Sequence, residues 1–458
     1  MNRTTWTRRS ALKAACSVLA LGGLVSLVPQ SANAVEDAET SAAFRTDHVL
    51  YWNNVLMDAF RTTGGTPGPL GRGGAMMNLA IYDAVNSIQQ IGRPYRTLVP
   101  NMRGYNGSME AAIDQAAYNA LKAAFPAINF DDEFNTAVSL RRPTNSININ
   151  RGITIGTAAA NGIIADRVND GSDDNTPYVV NYAPGYWRPT PGSAPVPHSP
   201  NWGKVKPFGL LSGSQFRPTS LPFGYTNIPA FIASPEYAAG VDEVRRLGGA
   251  TSTERTADQT QQARYWANDV NGTYKPIGHQ YVQSMAVYNT YHPWVDSTQS
   301  ARLFAMISVA MEDAAIAIWD SKFDTDNDLW RPESAINLAD TDNNPLTTAD
   351  PNWRPASMTP AGVHFAPPFP TFVSGHSGIV AAWAGAMKNF FGTDNLPFSS
   401  GTDDPNAVGV VRSFSSFSQA AQEKANSRLY AGVHFRWDNE AALEMGYKIA
   451  TEVNKNVL

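Results

Sequence analysis

The sequence predicts an all-α protein made of two helical bundles, with long ordered loops over a functional site. Apolar residues recur at three- and four-residue spacing along most of the chain, and few windows show the strict alternation of a half-buried strand. A chain of 458 residues with 43% hydrophobic content can bury one large core or two. Because such helices must bury their apolar stripes against one another, bundles are the expected architecture.

The helical period occupies nine stretches. In chain order they are Asp47–Arg61, Gly73–Ile88, Met109–Ala124, Gly152–Asp170, Thr253–Val270, Ala301–Asp320, Gly378–Phe391, Ser415–Tyr430 and Asn439–Val453. The stretch 301–320 is apolar nearly all round, which predicts a central, buried helix. Glu312 and Asp313 lie within it, and buried acids need partners. They are expected either to pair with arginine or backbone N–H groups, or to support cationic residues of an active site.

Residues 171–235 interrupt the helical pattern with proline, glycine and many aromatic side chains. This composition does not fit a flexible linker, and we predict a long ordered loop that covers a site. The domains expected after the leader are residues 35–235, a helical bundle with this loop, and residues 236–458, a second bundle that carries the site motifs. The histidines at positions 48, 198, 279, 292 and 364 form no ligand-like pair and are expected to be structural or on the surface.

Residues 1–34 have the pattern of a removable export signal. An uncharged run from Ala14 to Val28 follows a basic start, and Ala-Asn-Ala ends at Ala34. The run is too short for a membrane span of about 20 residues, so no stable membrane anchor is expected. Thr7–Lys13 resembles a twin-arginine signal, which exports folded proteins; an ordinary secretory signal is the alternative. Either signal sends the protein to the periplasm or the medium.

Removal of this leader takes away four basic residues and no acidic one, so the net charge changes from −5 to −9. It also removes Cys16, the single cysteine of the chain. Disulfides and thiolate metal sites are therefore excluded. An acidic chain without basic runs is a poor candidate for binding nucleic acid.

The segment PPFPTFVSGHSGIVAAWAG, residues 367–385, places a histidine on the first turn of a predicted helix. Ser374 is the expected N-cap of a helix that begins at Gly375. Helix N-termini present unpaired N–H groups and a partial positive charge, and Gly375 lets an anion approach the backbone. His376 would stand beside that anion and move a proton. A capped helix without a ligand is the alternative.

Two further blocks supply positive charge. Lys322 and Arg331 follow the apolar helix, and SRLYAGVHFRWD, residues 427–438, contains Arg428 and His434. Arginine offers a planar fork of donors and lysine a point charge. Three cations in one place are costly unless an anion neutralises them. The three blocks together therefore predict an oxyanion site.

The three blocks resemble the signature shared by vanadium-dependent haloperoxidases and the type 2 phosphatidic acid phosphatase superfamily. That signature is Lys…Arg-Pro, then Pro-Ser-Gly-His, then Ser-Arg-x5-His-x3-Asp. The third block, Ser427–Asp438, matches throughout. Val373 stands where the family usually has proline, and eight residues separate Lys322 from Arg331 where six are usual. The motifs span residues 319–438, and a looser similarity reaches back to about residue 45.

The resemblance implies a vanadium chloroperoxidase-like fold, vanadate as cofactor and a role for each motif residue. The donors to the equatorial oxygens of vanadate would be Lys322, Arg331, Ser374, Gly375 and Arg428. His434 would be the single protein ligand of the vanadium, His376 the acid–base residue, and Lys322 also a catalytic residue that polarises peroxide. Asp438 would orient a histidine or cap the helix that starts near Asn439, and one carboxylate could do both.

Trp319 and Phe369 match aromatic residues that line the halide pocket of fungal chloroperoxidases in this family; plain core packing is the alternative. The resemblance thus implies oxidation of halide by hydrogen peroxide to hypohalous acid or an equivalent species, with a small organic acceptor. The alternative is a secreted acid phosphatase that works through a phosphohistidine at His434. Neither the halide nor the choice between monomer and homodimer follows from the sequence.

Overall fold

The computed structural model describes residues 46–99, 107–292 and 294–457. Thr46–Leu458 form one compact unit. The expected export signal, residues 1–34, lies outside the described residues. The regular secondary structure of the described part is helical apart from one antiparallel pair of strands, β1 (Phe398–Gly401) and β2 (Val411–Phe414), and long loops connect several of the helices. The predicted all-α class is confirmed.

Fourteen α-helices occur within the described residues. They are α1 (His48–Thr63), α2 (Pro67–Gln89), α3 (Met109–Ala124), α4 (Asp131–Leu140), α5 (Ser146–Asp166), α6 (Ile228–Ile232), α7 (Pro235–Gly248), α8 (Ala257–Tyr265), α9 (Lys275–Tyr291), α10 (Ser297–Phe323), α11 (Pro332–Asn337), α12 (Gly375–Phe391), α13 (Phe417–Tyr430) and α14 (Arg436–Asn456). Short 3-10 helices lie at Trp202–Lys204, Gly213–Phe216, Pro222–Gly224 and Ala339–Thr341.

Most predicted helices have somewhat different ends in the structure, and α2 and α8 show two physical reasons for this. Helix α2 begins at Pro67, ahead of the predicted Gly73, because proline fits the first helical turn, where its missing N–H is not needed. Helix α8 is much shorter than the predicted 253–270. The Thr256 side chain caps its start, and Asn268, soon after its end, has a positive φ.

Helix α9 is the longest of the helices that the periodicity misses, the others being α4, α6, α7 and α11. Its buried residues lie on most of its sides and include His279, Gln280 and Gln283. A helix buried in this way has no apolar stripe for the sequence pattern to display.

The helices pack as two bundles. Helices α2, α3 and α5 pack together, as do α12, α13 and α14, and α10 packs against both α2 and α12. Almost every α10 residue from Ser300 to Lys322 is buried, which confirms the predicted central helix. The division of the chain near residue 235 remains a prediction. No helix among the described residues is long and apolar enough to cross a membrane.

The two acids inside α10 hold the long loop. Asp313 accepts hydrogen bonds from the backbone N–H groups of Phe208, Gly209 and Leu210, at 2.7, 2.7 and 3.0 Å. Glu312 accepts from the indole N–H of Trp202 at 3.0 Å. The structure therefore supports a structural pairing for both acids, and the loop that they anchor is ordered.

Replacing Asp313 by alanine should lower the free energy of unfolding by about 3 kcal/mol, because three backbone N–H groups lose a buried acceptor. Urea denaturation at pH 8, where this carboxyl is ionised despite a pKa raised to about 6 by burial, measures the change. Asp313→Asn keeps one acceptor oxygen, so its free energy of unfolding should lie between those of the parent and the alanine variant. Equal stability of the alanine variant and the parent would show that the loop is held elsewhere.

Candidate active site

A cavity lies where the three motif blocks meet. His376 and His434 both line it, with Trp319, Phe369 and Gly375. Its wall is completed by other parts of the chain, including residues 192–194 and 198 of the long loop. The loop predicted to cover a site thus borders this cavity.

Helix α12 begins at Gly375, as predicted, but the hydroxyl of Ser374 does not cap it. That oxygen instead accepts from the Ser377 hydroxyl at 2.9 Å, and the Ser374 N–H donates to the Asp438 carbonyl at 3.1 Å. A Cβ at Gly375 would meet only the Trp319 ring, at 3.7 Å. The start of α12 therefore leaves room next to its backbone on the cavity side.

His376 is held in one neutral tautomer. Its Nε2 lies 3.1 Å from the Ala267 carbonyl and 3.6 Å from Asp269 Oδ1. Since a carbonyl only accepts, Nε2 carries the hydrogen, and Nδ1 keeps its lone pair. Burial and the nearby charge of Arg428 hold the pKa of His376 well below its usual range, and Asp269 partly opposes them. The ring is therefore a neutral base near pH 7.

His434 has the opposite tautomer. Its Nδ1 lies 3.0 Å from Asp438 Oδ2, and its Nε2 lies 3.1 Å from Arg331 Nη1. The Asp438 carboxylate accepts a hydrogen bond from Nδ1–H, and a guanidinium only donates, so Nε2 is unprotonated. Burial, with the charges of Arg331 and Lys322, holds the pKa of His434 well below its usual range. A histidine bonded in this way to a carboxylate has the form of a metal ligand.

Asp438 performs both of the functions expected for it. Its Oδ2 accepts from His434 and also from the Phe435 backbone N–H, at 3.0 Å, in the first turn of α14. The helix begins at Arg436, earlier than the predicted Asn439, so this carboxylate caps it from within. Thr371 donates a third bond at 2.5 Å. Burial raises the pKa of Asp438 to about 6.

Lys322 and Arg331 reach the same short backbone segment despite the longer connection between them. The Lys322 Nζ donates to the carbonyls of Pro370 and Thr371 at 2.6 and 3.0 Å. The Arg331 Nε donates to the Phe369 carbonyl at 2.7 Å. Burial lowers the pKa of both cations, that of Arg331 to about 9, and the Arg331 charge further lowers that of Lys322.

The two arginines carry buried donors that lack acceptors. Arg428 donates from Nη2 to Asp269 Oδ2 at 2.8 Å, but its Nε and Nη1 have no partner among the described residues. The same is true of Arg331 Nη2. A buried unpaired donor is costly, most of all a charged one. A bound oxyanion would supply the missing acceptors, so the residues present fit such a group.

Trp319 and Phe369 form an aromatic wall of the cavity. Their ring centroids are 5.0 Å apart, and the Arg331 guanidinium carbon lies 4.7 Å from the Phe369 centroid. The two rings thus line the cavity and also pack, one on the other and on a cation. Both interpretations offered by the sequence, a pocket lining and plain packing, therefore apply to Trp319 and Phe369.

Four ionisable residues line the cavity without having been predicted as part of the site: His198, Asp269, Lys275 and Lys424. His198, expected to be structural or on the surface, borders the cavity. Lys424 lies one helical turn before Arg428, and this four-residue spacing on α13 was the available signal. Asp269 lies in a loop after α8 with no motif around it, and only the fold brings it to Arg428.

The chain resembles known proteins over nearly its whole length. A family model, the VCPO (vanadium chloroperoxidase) second helical-bundle domain, matches residues 302–458, which contain all three blocks. Vanadium chloroperoxidase of Curvularia inaequalis is 27% identical over 508 residues, covering 88% of this chain and 80% of that protein. The crystal structure of the first bacterial vanadium-dependent iodoperoxidase superposes with a TM-score of 0.72 at 26% identity, covering 92% of this chain and 96% of that one.

Residues 302–458 thus match the second helical-bundle domain of vanadium chloroperoxidases, and the chain as a whole resembles vanadium-dependent haloperoxidases. Its fold also resembles that of apo-type and holo-type bacterial vanadium-dependent chloroperoxidases, with TM-scores of 0.66 and 0.65 at 16% and 18% identity. Val373, where the signature usually has proline, is buried, and the longer Lys322–Arg331 connection still brings both cations to residues 369–371. Leu329 in that connection forms an antiparallel bridge with Tyr186 of the long loop.

Proposed function

We propose that this protein is a vanadate-dependent haloperoxidase, which oxidises halide with hydrogen peroxide to hypohalous acid or an equivalent halogenating species. The observation that carries the proposal is the set of buried, acceptor-free arginine donors beside the unprotonated Nε2 of His434. Donors and ligand together suit an oxyanion of a metal. Vanadium-dependent chloroperoxidases and an iodoperoxidase are the relatives that support the assignment.

Vanadate would be held by the residues of all three blocks. Its oxygens would take hydrogen bonds from Lys322, Arg331, Ser374, Gly375 and Arg428, and His434 would ligate the vanadium through Nε2. When bound, vanadate supplies Lewis-acid activation of peroxide without a change in oxidation state. Metal binding requires a deprotonated ligand, and the low pKa of His434 meets this condition.

The residues around the anion would handle protons and charge. His376 accepts the proton that hydrogen peroxide loses, through the nitrogen that is not bonded to the Ala267 carbonyl. A bound anion opposes the burial that lowers the pKa of Lys322, so this lysine carries its charge when the site is filled and polarises peroxide. Asp438 and Thr371 contact Nδ1 of His434 and fix the orientation of its imidazole ring.

Trp319 and Phe369 would form the apolar side of the halide pocket, where partial loss of water makes a halide a better nucleophile. A small organic acceptor then takes up the halogen. The activity is tested by adding vanadate, bromide and peroxide to the folded protein with a phenolic indicator. We expect halogenation that depends on vanadate, and a signal no higher than that of the vanadate-free sample would reject the proposal.

Phe369→Ala should lower kcat/KM for halide oxidation about tenfold, because the apolar wall is lost while the Phe369 carbonyl still accepts from Arg331. Phe365→Ala, which alters another phenylalanine of the cavity, is the matched control. A phosphohydrolase built on the same cage would depend far less on this wall. Hydrolysis of a phosphomonoester that survives Phe369→Ala, with trapped phosphate on His434, would favour that alternative.

We propose also that the twin-arginine leader exports the folded enzyme to the periplasm or the medium. The support is the sequence of residues 1–34, with its paired Arg8 and Arg9. Replacing both by lysine should retain the protein in the cytoplasm, as cell fractionation would show. Light scattering on the purified protein is the measurement that decides between a monomer and a homodimer.

A further inference from the structure

A second, smaller cavity lies behind the active site and is lined by two arginines. We call it the arginine pocket and define it by Arg255, Arg264, His364 and Asn406. Alanines, among them Ala267, form much of its remaining wall. None of the motif residues of the active site lines it.

The positive charge of the arginine pocket is not neutralised. No carboxylate is among the described residues that line it. Arg255 donates from Nη1 to the carbonyls of Leu247 and Gly249, at 2.7 and 2.8 Å, and from Nε to the Thr260 hydroxyl at 3.0 Å, which are all uncharged partners. Burial and the charge of Arg264 lower the pKa of Arg255.

Arg264 and His364 have unused polar atoms at this pocket. Arg264 is exposed and forms neither a hydrogen bond nor an ion pair from its side chain with the described residues. The Nδ1 of His364 is buried and has no partner there. Asn406 adds an amide group to the same wall. A fixed guanidinium, a free guanidinium and an unpaired imidazole nitrogen thus converge on one small space.

The backbone around the pocket also serves the active site. The carbonyl of Ala267 accepts from His376, and Arg255 donates to the carbonyl of Tyr430 at 3.3 Å, two residues beyond Arg428. The two cavities are therefore neighbours. They have separate sets of side chains.

We propose that the arginine pocket binds a small tetrahedral oxyanion of the sulfate or phosphate class, at a site distinct from the vanadate site. Arg264 offers a free guanidinium fork that matches two oxygens of such an anion, and Arg255, whose Nε and Nη1 are already bonded, can add its Nη2. A spherical halide cannot accept from both donors of the fork in this way. The proposal does not depend on the haloperoxidase activity.

Equilibrium dialysis of the full chain against labelled sulfate, with and without saturating vanadate, tests the proposal. We expect a sulfate site that vanadate does not displace, and Arg264→Gln should weaken it about tenfold. Arg302→Gln, at another exposed arginine, is the control and should leave it unchanged. Phosphate should compete for the site, and bromide at equal concentration should compete poorly.

Arg264 is the residue to vary, because it is exposed and its loss should not disturb folding, whereas Arg255 bonds three backbone carbonyls. Arg264→Glu reverses the charge and should abolish binding. Complete displacement of sulfate by vanadate, or equal affinity of Arg264→Gln and the parent, would overturn the proposal. If the protein takes up no vanadate, the proposed activity fails, and the Arg264 variants still decide the fate of this site.

Discussion

His434→Ala should reduce vanadate-dependent halogenation about a thousandfold or more, the largest loss that we expect from a single change. The alanine cannot ligate the metal, so both the affinity for vanadate and the Lewis-acid contribution to catalysis fall. Vanadium retained by the protein after ultrafiltration and the rate of bromination, measured on the same sample, report the two effects separately.

The fold should survive this replacement. Arg331 keeps its bonds to the Phe369 and Val433 carbonyls, and Asp438 keeps the Phe435 N–H and the Thr371 hydroxyl. His292→Ala is a suitable control, because that ring stacks on Tyr288 and does not border the cavity. A His434→Ala protein that brominates within tenfold of the parent would remove His434 as the ligand.

The candidate site is predictable from the sequence to the extent that its chemistry lies in short blocks. Lys322, Arg331 and Arg428 are cations placed beside helix ends or inside apolar surroundings, where a charge is costly unless a partner neutralises it. The blocks around them show which residue types are grouped. They do not show which donors remain without acceptors, because the carbonyls that satisfy Lys322 come from Pro370 and Thr371 in another part of the chain.

Asp269 and Ser374 show where residue types mislead. Nothing near Asp269 in the sequence predicts a partner for Arg428, since the pairing spans 159 positions. Ser374 is a suitable N-cap by type and position, yet its oxygen accepts from Ser377. A hydroxyl has several possible partners, and the local sequence cannot decide which one the packed structure offers.

The helices, too, are predictable only where their environment shows in the local sequence. The apolar run of α10 is predictable because burial on all sides needs apolar residues almost everywhere. Helix α9 is also largely buried, but it places His279, Gln280 and Gln283 inside, where other parts of the chain satisfy their hydrogen bonds. Those partners, such as Lys424 and Gly401, are distant in sequence, so the pattern of α9 looks irregular until the fold is known.

Arg428→Ala should lower the maximal rate of halogenation about a hundredfold, since two buried donors to the anion and the partner of Asp269 are lost. It should also change the pH dependence. Arg428 lowers the pKa of His376, so removal of the arginine raises that pKa. Asp269, which also raises the pKa of His376, then no longer has the charge of Arg428 beside it.

His376 must be neutral to accept a proton, so activity falls when the pH drops below its pKa. A higher pKa therefore moves the acid limb of the kcat/KM profile to higher pH in Arg428→Ala. Arg428→Lys keeps the positive charge but not the paired guanidinium donors. It should therefore lower the rate but displace the acid limb less than Arg428→Ala does. Arg436→Ala, which breaks only a partly exposed pair with Glu243, should leave the profile in place. A slower Arg428→Ala enzyme with an unmoved acid limb would mean that His376 does not take the proton.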